Sequence, residues 1–368
     1  MKKVKLGDVC KIQSGGTPSR GNLNYWNNGN IPWVKISDIK EKYLSRTEEF
    51  ITQEGLANSS AKIFPKETIL YTIFATLGEV SILEIEATTN QAIAGLQIID
   101  ENICKDYLYY YLISLKPFVN EIGRGVAQNN INMQILRNFE IPLPSLEEQK
   151  AIARKLDKVS GLIEKRKTQL EKLSELVKSR FIEMFESGNY PVCRLGDVCS
   201  KITDGTHKTP NYLDAGVTFI SAKNIVNGEL DFSDVKYISD QEYAEIQKRC
   251  QTEMGDILLS KSGSLGAPVI VKTTERIGLF ESLAVIKYDR SKLLPAFLCE
   301  QLKSDRIQRQ FKVGTKGVAI KHLHLGVIAD TDIVVPPIED QNAFATFVEQ
   351  VDKSKYHGEF TYEMEVAA

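Results

Sequence analysis

Two loops in the first half of the chain combine glycine with cationic and amide side chains. They span residues 15–28 and 124–130. Glycine allows a second backbone to approach closely, arginine can fork onto a phosphate or a guanine, and asparagine can pair with the edge of adenine. These residue types are suited to contacting DNA. The candidates in this half are Thr17, Arg20, Trp26, Lys35, Arg124, Gln128, Asn129 and Asn130.

Matching loops lie in the second half, at residues 204–208 and 316–322, with residues 261–264 as a further candidate. The glycine and Thr-Pro frame is retained in both halves, whereas the polar side chains differ. Two domains that prefer different DNA sequences would differ in this way. At any single position a solvated turn is the alternative, because Gly, Asn, Ser and Lys are common turn residues. The candidates here are Thr206, His207, Lys208, Lys261, Ser262, Lys316, Lys321 and His322.

These loops recur because the whole chain is an internal duplication. The pentapeptide LGDVC at residues 6–10 returns at residues 195–199, and Leu77-Gly78 returns as Leu265-Gly266. The offset stays between 188 and 192 residues along the chain. Solenoid repeats are only ~20–50 residues long, so this spacing indicates two copies of a whole domain.

The sequence has no pattern that would support catalysis. Neither a GxxxxGK[ST] phosphate loop nor a GxGxxG, HExxH or GxSxG motif occurs. The four histidines lack ligand or triad companions, and the six cysteines lack metal-ligand spacing. We therefore expect a non-enzyme with no catalytic residue, no metal and no cofactor in this chain.

Composition is that of a globular protein: 42% of the 368 residues are hydrophobic and 26% are charged. No apolar run approaches the ~20 residues that span a bilayer, and the N-terminus turns polar too early for a signal-peptide core. These features predict a cytoplasmic location. The net charge of −2 neither supports nor excludes DNA binding, since a basic groove can exist in a neutral total. Cys10 and Cys199, which are repeat equivalents, are expected to be structural thiols.

Each repeat is predicted to be a mixed α/β (α+β) unit that is rich in strands. β-branched and aromatic runs predict strands at residues 69–74, 217–220, 269–271 and 283–286. One amphipathic helix is predicted from the spacing of Leu108, Leu112, Leu115, Val119 and Ile122. The predicted order is a first domain at 1–144, a central helix at 145–188, a second domain at 189–337, a second helix at 338–356 and a tail at 357–368.

A heptad pattern, interrupted only by Arg166, predicts that the central helix is long. A capping box of Ser145 and Glu148 begins it, and Gly188 with Pro191 ends it. At 1.5 Å per residue a helix over 147–186 is ~60 Å long and needs a partner along its seam. The seam residues are Ile152, Leu156, Val159, Ile163, Leu170, Leu173 and Val177.

The partner is predicted to be the helix at 338–356, which carries Phe344, Phe347, Val348 and Val351 at helical spacing. Because this helix must run back to pack on the first, the pair is predicted to be an antiparallel coiled coil. Tyr356-His357-Gly358 is expected to break the second helix and shorten it. The alternative is that each helix folds back on its own domain.

Several motifs occur in a fixed order along the chain. Gly15-Gly16-Thr17-Pro18 precedes Tyr25-Trp26 and Ile31-Pro32-Trp33; Leu77-Gly78 and Thr89-Asn90-Gln91 follow; Ile141-Pro142-Leu143-Pro144 then leads into Glu147-Glu148-Gln149. In these motifs, and in its order of domain, helix, domain, helix, the chain resembles the specificity subunit of type I restriction-modification systems. The resemblance implies two target recognition domains, each reading one half of a bipartite DNA target, with helices that set the spacing.

The resemblance also implies partners. Two methyltransferase subunits would dock on the helices, and motor-nuclease subunits would complete the restriction complex. S-adenosylmethionine, ATP and magnesium would belong to those partners. The alternative interpretation is a two-headed protein-interaction scaffold with no nucleic-acid role.

Overall fold

The computed structural model describes residues 2–124, 130–186, 188, 190–315 and 322–367, with the backbone alone for residues 123, 124 and 356–367. The chain forms two compact units, residues 1–163 and 164–368. Their boundary lies inside one continuous helix, Leu146–Phe181. The helix predicted as a separate spacer therefore contributes residues to both units. Within the described residues, no helix is both long enough and apolar enough to cross a membrane.

The described part of the first unit contains ten strands and five short α-helices, together with 3-10 helices at Leu23–Tyr25 and Ile36–Asp38. The strands are β1 Lys3–Lys5, β2 Cys10–Ser14, β3 Ile31–Val34, β4 Tyr43–Leu44, β5 Glu49–Ile51, β6 Ile69–Thr72, β7 Val80–Leu83, β8 Thr88–Thr89, β9 Ile93–Ile98 and β10 Glu140–Pro142. The helices are α1 Leu6–Val9, α2 Gln53–Ala57, α3 Lys105–Ser114, α4 Lys116–Arg124 and α5 Met133–Arg137, followed by the shared helix α6 Leu146–Phe181.

Two sheets pack against each other in this unit, in the strand orders β2-β9-β6-β7-β4 and β5-β3-β8. Strand β6 is buried along its whole length, which is why its sequence is apolar without alternation. Its odd residues, Ile69 and Tyr71, face the cluster beneath α3. Leu70 points the other way, into a cluster with Val34 and Phe64. The two-residue period of one strand thus fills two separate cores.

The second unit repeats this plan. Its strands are β11 Val192–Arg194, β12 Cys199–Asp204, β13 Val217–Ile220, β14 Ile225–Val226, β15 Glu229–Leu230, β16 Lys236–Ile238, β17 Ile257–Ser260, β18 Pro268–Ile270, β19 Ile277–Leu279, β20 Leu283–Tyr288 and β21 Asp332–Val334. Its helices are α7 Asp240–Arg249, α8 Pro295–Lys303, α9 Asp305–Gly314, α10 Leu325–Ala329 and α11 Ile338–Ala367.

The sheet orders confirm that the repeat is structural. The second unit has sheets β12-β20-β17-β18 and β16-β13-β19, strand for strand equivalent to those of the first unit apart from the edge strand β4. Each unit is closed by a short antiparallel ladder, β1 with β10 and β11 with β21. The mixed α/β class predicted from the sequence is confirmed, and the predicted strand at 217–220 coincides with β13.

The single amphipathic helix predicted through Leu108 and Ile122 is wrong, because two helices are present. Helix α3 ends at Ser114 and α4 begins at Lys116. Pro117 has no N–H to continue the ladder, so the chain turns there. The second unit breaks at the same place, where the Ser304 hydroxyl accepts a bond from the Ile307 N–H at 3.4 Å and begins α9. Leu108, Leu112 and Val119 are nevertheless all buried, as the spacing indicated.

The predicted capping box at the start of α6 is confirmed. The Glu148 N–H donates to Ser145 Oγ at 3.3 Å, and the Ser145 N–H donates to Glu148 Oε2 at 2.8 Å. Next to it, the fully buried Gln149 accepts the Cys104 N–H at 2.8 Å. Its amide nitrogen donates to the carbonyl oxygens of Asn102 and Pro144 at 2.9 and 3.0 Å. This glutamine fastens the helix start to the loop before α3.

Gln341 makes the same connections at the start of α11. It is fully buried, accepts the Leu294 N–H at 2.9 Å, and donates to the carbonyls of Lys292 and Pro336 at 2.7 and 2.9 Å. The repeated Glu-Gln and Asp-Gln pairs of the sequence therefore mark two copies of one buried anchor.

Within the second unit, α11 runs antiparallel to the end of α6. Phe344 packs edge-on against Phe181 with ring centroids 5.6 Å apart. Farther along, Arg166 donates to the carbonyl of Lys355 at 2.9 Å. Val177 and Val351 are buried in the same core, which Phe347 and Val348 border. The antiparallel pairing predicted for this stretch is confirmed.

Two details of the helix predictions need correction. In the first unit the buried face of α6 carries Ala153, whereas the predicted seam residues Ile152 and Leu156 are 39% and 37% exposed. The break predicted at residues 356–358 is also absent, since α11 is helical to Ala367. A single internal glycine costs a helix only ~1 kcal/mol.

Cys10 and Cys250 are buried thiols, and all six cysteines are free. Burial raises the pKa of the Cys10 thiol to about 12. A thiol with so high a pKa is protonated and unreactive at neutral pH, which agrees with a structural role. Cys199, the repeat equivalent of Cys10, is half-buried.

Candidate nucleic-acid interface

In the first unit, Arg20 is stacked in an aromatic corner. Its guanidinium carbon lies 3.6 Å from the ring centroid of Trp26 and 4.7 Å from that of Trp33. The two indoles are perpendicular, with centroids 5.0 Å apart. Their nitrogens donate to the carbonyls of Ser19 and Gly16 at 3.1 and 3.0 Å. Stacking and these bonds fix the direction of Arg20 before any ligand arrives.

Glu49 links Arg20 to Lys35. Its carboxylate is 2.6 Å from Arg20 Nη1 and 3.2 Å from Lys35 Nζ, and Lys35 also reaches Glu48 at 3.0 Å. Burial opposes ionisation of Glu49, yet hydrogen bonds from Arg20 and Lys35 lower the pKa of its carboxyl. Arg20 stays half-exposed, so an oriented guanidinium edge faces solvent.

The glycines at the start of this loop pack against the protein itself. A Cβ added to Gly15 would lie 2.3 Å from the Thr89 carbonyl oxygen, and one on Gly16 would lie 2.4 Å from the Ala61 nitrogen. Both residues are buried. Their predicted use for close approach to DNA is therefore wrong, because they let β2 cross onto the second sheet. Gly205 has the same function, with an added Cβ 2.1 Å from the Leu279 carbonyl oxygen.

Two further candidates of this unit lie on its surface. Thr17 is half-buried and its hydroxyl donates to Gln91 Oε1. Asn130 is half-buried and forms a β-bridge with Phe74, whose ring is 38% exposed. The sequence did not single out Phe74, because this residue ends an apolar run of the kind that forms a buried strand. Arg124, Gln128 and Asn129 lie outside the side chains that the structure describes.

The second unit holds a buried ionic cluster at the matching place. The side chains of Asp204 and Lys261 are each 3% exposed and form an ion pair. Arg249, at the end of α7, also pairs with Asp204, and His207 Nε2 lies 3.3 Å from Asp204 Oδ2. Burial opposes ionisation of Asp204, but the bond from Lys261 and the nearby Arg249 lower the pKa of its carboxyl.

Lys261 is consequently not a surface contact. A direct bond from Lys261 to DNA is contradicted by its burial, and its charge is taken up by Asp204. The residues beside it remain accessible: His207 and Lys208 are exposed, and Thr206 and Ser262 are half-buried. Arg249, which sequence reasoning missed, lines with Thr206, His207 and Lys208 a cleft of about 450 Å³.

His322 lies on the other side of Lys261. Its Nε2 is 3.5 Å from Glu281 Oε2, and Glu281 is 3.9 Å from Lys261 Nζ. Burial, with the charge of Lys261, lowers the pKa of His322, which keeps this ring neutral at neutral pH. Lys316 and Lys321 lie outside the described residues. Among the residues described, no three His, Cys, Asp or Glu side chains are placed to hold a metal ion.

The two sites share a backbone hydrogen bond although their side chains differ. The Ile131 N–H donates to the Ile73 carbonyl at 3.0 Å, and the Leu323 N–H donates to the Lys261 carbonyl at 2.9 Å. In the alignment of the two repeats, apolar Ile73 is therefore equivalent to charged Lys261, and Asn130 is equivalent to His322. The two units thus present different polar side chains on one common frame.

The profile of the type I restriction modification DNA specificity domain matches this chain twice, over residues 1–174 and 188–358. The chain belongs to the type I restriction-modification specificity family. Its similarity to family members extends over most of its length. The specificity subunit of the type I restriction enzyme MjaIX from Methanocaldococcus jannaschii is 29% identical over 367 residues, covering 92% of this chain and 83% of that protein.

A second relative, the EcoBI specificity subunit from Escherichia coli, is 23% identical over 381 residues, which cover 95% of this chain and 78% of that subunit. The type I restriction-modification S subunit from M. genitalium has the same fold: the TM-score is 0.55 at 15% identity, over 100% of this chain and 93% of that one. The chain is thus a specificity subunit with two target recognition domains, and the scaffold alternative is not favoured.

Proposed function

We propose that this chain is the DNA-reading subunit of a type I restriction-modification complex. Each unit reads one half of a bipartite, asymmetric target, and the helices set the distance between the halves. Two methyltransferase subunits dock on the helices, and motor-nuclease subunits join them. The chain itself is non-catalytic and acts in the cytoplasm. S-adenosylmethionine, ATP and Mg²⁺ are held by the partners.

The observation that carries this proposal is the shared frame with exchanged side chains. Arg20 lies on its tryptophans in the loop after β2, and Asp204 and His207 lie at the end of the equivalent strand β12 and in the loop after it. One backbone with two sets of polar groups is what two half-sites of different sequence require.

Exposed apolar residues on α6 support the docking of a partner subunit on the first unit. Ile152 and Leu156 lie one helical turn apart on the same face and are 39% and 37% exposed. Adjacent exposed apolar side chains are a feature of protein interaction surfaces.

Methylome sequencing tests the proposal in cells that carry this chain with its methyltransferase. Arg20→Met removes the oriented guanidinium and should weaken reading at one half-site by about 10- to 100-fold, the equivalent of one bidentate base contact of ~1–3 kcal/mol. The other half-site should be unchanged. Replacing residues 1–144 by those of a diverged relative should change the same half of the motif.

Lys66→Met is the matched control. Lys66 is an exposed cation in the turn before β6, away from both the candidate DNA loops and α6, so its loss should leave both half-sites intact. An unchanged motif after the exchange of residues 1–144 would refute the proposal, and so would equal losses from Arg20→Met and Lys66→Met.

A further inference from the structure

Lys42 connects three elements of the first unit. It immediately precedes β4, and its ammonium lies 2.7 Å from Asp106 Oδ1 on α3. It also pairs with Asp157 on α6. Only 17% of the Lys42 side chain is exposed. A lysine of this kind is unlike the solvated surface lysines of an ordinary loop, because its charge is enclosed on several sides.

Three tyrosines complete the enclosure. The Lys42 ammonium lies 5.2, 5.4 and 4.9 Å from the ring centroids of Tyr43, Tyr109 and Tyr110. Tyr43 donates its hydroxyl to Asp106 at 3.0 Å, and Tyr110 donates to Asp157 at 2.7 Å. Burial opposes the charge of Lys42, but the bonds to both aspartates outweigh this effect and raise its pKa. The ammonium is therefore held in place by directed bonds to both aspartates.

The segment that Lys42 fixes is the one that carries the candidate DNA contacts. Residues 35–49 run from the end of β3, through β4, to the first residue of β5. Lys35 lies at one end, and at the other are Glu48 and Glu49, which hold Lys35 and Arg20. Lys42 lies midway, and its carbonyl accepts the Ile82 N–H at 2.7 Å. A shift of the segment at Lys42 would consequently move the carboxylates that orient Arg20.

The second unit has a glycine at the corresponding place. Gly228 precedes β15 beside β18, as Lys42 precedes β4 beside β7. A Cβ added to Gly228 would lie 3.7 Å from the Lys303 ammonium of α8, so a second cation would be disfavoured there. Instead of a filled contact there is an open cleft of about 400 Å³, lined by Gly228, Glu229, Glu300, Val348 and Asp352 among others.

We propose that Lys42 is a positioning residue that fastens the DNA-reading segment 35–49 to helices α3 and α6, and that the second unit, with Gly228, holds its segment 221–236 less firmly. The inference rests on the proposed function, but the attachment of segment 35–49 to the helices can be measured without DNA. The first unit then discriminates more strongly between DNA sequences, and the second unit tolerates more variation in its half-site.

Hydrogen exchange of the full chain, followed by mass spectrometry, measures the fastening. Lys42→Met keeps the apolar stem and removes the ammonium, and should accelerate amide exchange over residues 36–48 by roughly ten-fold. Lys42→Arg should restore most of the protection. Lys40→Met removes an equal charge from an exposed position in the same segment and should change nothing. In the wild type, residues 221–236 should exchange faster than residues 36–48.

Should Lys42→Met not fold, Lys42→Met with Asp106→Asn removes the unpaired carboxylate and gives the same measurement. Unchanged exchange over residues 36–48 overturns the inference, as does slower exchange at residues 221–236 than at 36–48 in the wild type.

Selection from randomised duplex DNA, with the methyltransferase subunit present, measures the consequence. Lys42→Met should reduce enrichment of one half-site roughly five- to ten-fold and leave the other intact. If the wild type selects no motif, the proposed function fails while the exchange result stands. If exchange rises but both half-sites are selected as before, the positioning role fails alone. An equal loss with Lys66→Met, which removes an exposed charge outside the segment, would mean that charge, and not position, is responsible.

Discussion

The two units place opposite kinds of residue at the same point of the same fold. Beneath the loops of the first unit, Ile73 is apolar and buried; at that position the second unit has Lys261, paired with Asp204. In the first unit the fixed cation is instead Arg20, stacked on Trp26 and half-exposed. One unit orients its polar groups by aromatic stacking near the surface and the other by a buried ion pair. A duplicated frame can therefore be given new surface chemistry by a change beneath the surface.

Among the substitutions that test this difference between the units, Lys261→Met is expected to cause the largest loss of stability. It leaves the buried Asp204 with only its more exposed partners, Arg249 and His207, and should lower the free energy of unfolding of the second unit by about 3 kcal/mol. Urea unfolding of the full chain measures this. Lys261→Met with Asp204→Leu should recover most of the loss, because well-packed apolar residues replace a buried pair at little cost.

Ile73→Met in the first unit is the matched control for that change. It is close to isosteric and should cost below ~1.5 kcal/mol. A loss from Lys261→Met no larger than this control would show that the buried pair has no structural role.

A smaller loss of stability, equal in the two units, is expected when the buried glutamine that both units share is removed. Gln149→Ala and Gln341→Ala each leave one N–H and two carbonyl groups without their partner, at a cost of about 2 kcal/mol. The two losses should match within ~0.5 kcal/mol, and exposed Lys150→Ala should be silent. Thermal unfolding of the three variants tests this, and a large loss from only one glutamine would show that the anchors are not equivalent.

The smallest effect is a pH dependence of stability, which is expected in the second unit and not in the first. Because the pKa of His322 is lowered in the folded state, the unfolded chain takes up this proton more readily. The stabilisation is complete above the ordinary histidine pKa of ~6.5 and is lost as the pH falls below it. In urea unfolding at about pH 8 and pH 5.5, His322→Asn should remove this loss of stability at the lower pH. Asn130→Ala in the first unit should leave that loss unchanged.

Local patterns in the sequence predicted much of this fold. The duplication, the strand at 217–220 and the capping box at Ser145 depend on neighbouring residues and are confirmed. The function of Gly15 and the burial of Lys261 were mispredicted because both depend on partners far along the chain: Thr89 for the glycine, and Asp204 for the lysine. Lys42 gave no signal, since its partners Asp106 and Asp157 meet it only after folding.

The short ladders that close each unit have a mechanical consequence. Lys3 lies opposite Pro142 at one end of the first ladder, and Val192 lies opposite Val334 in the second. The first strand of each ladder therefore begins beside the residue at which its last strand ends, and the helix that follows, α6 or α11, is fastened by Gln149 or Gln341. Tension along the polypeptide would first release this helix, would then separate the strand pair residue by residue, and would reach the central strands only afterwards. In a force spectrum, each unit should show a weak early rupture before its main unfolding event.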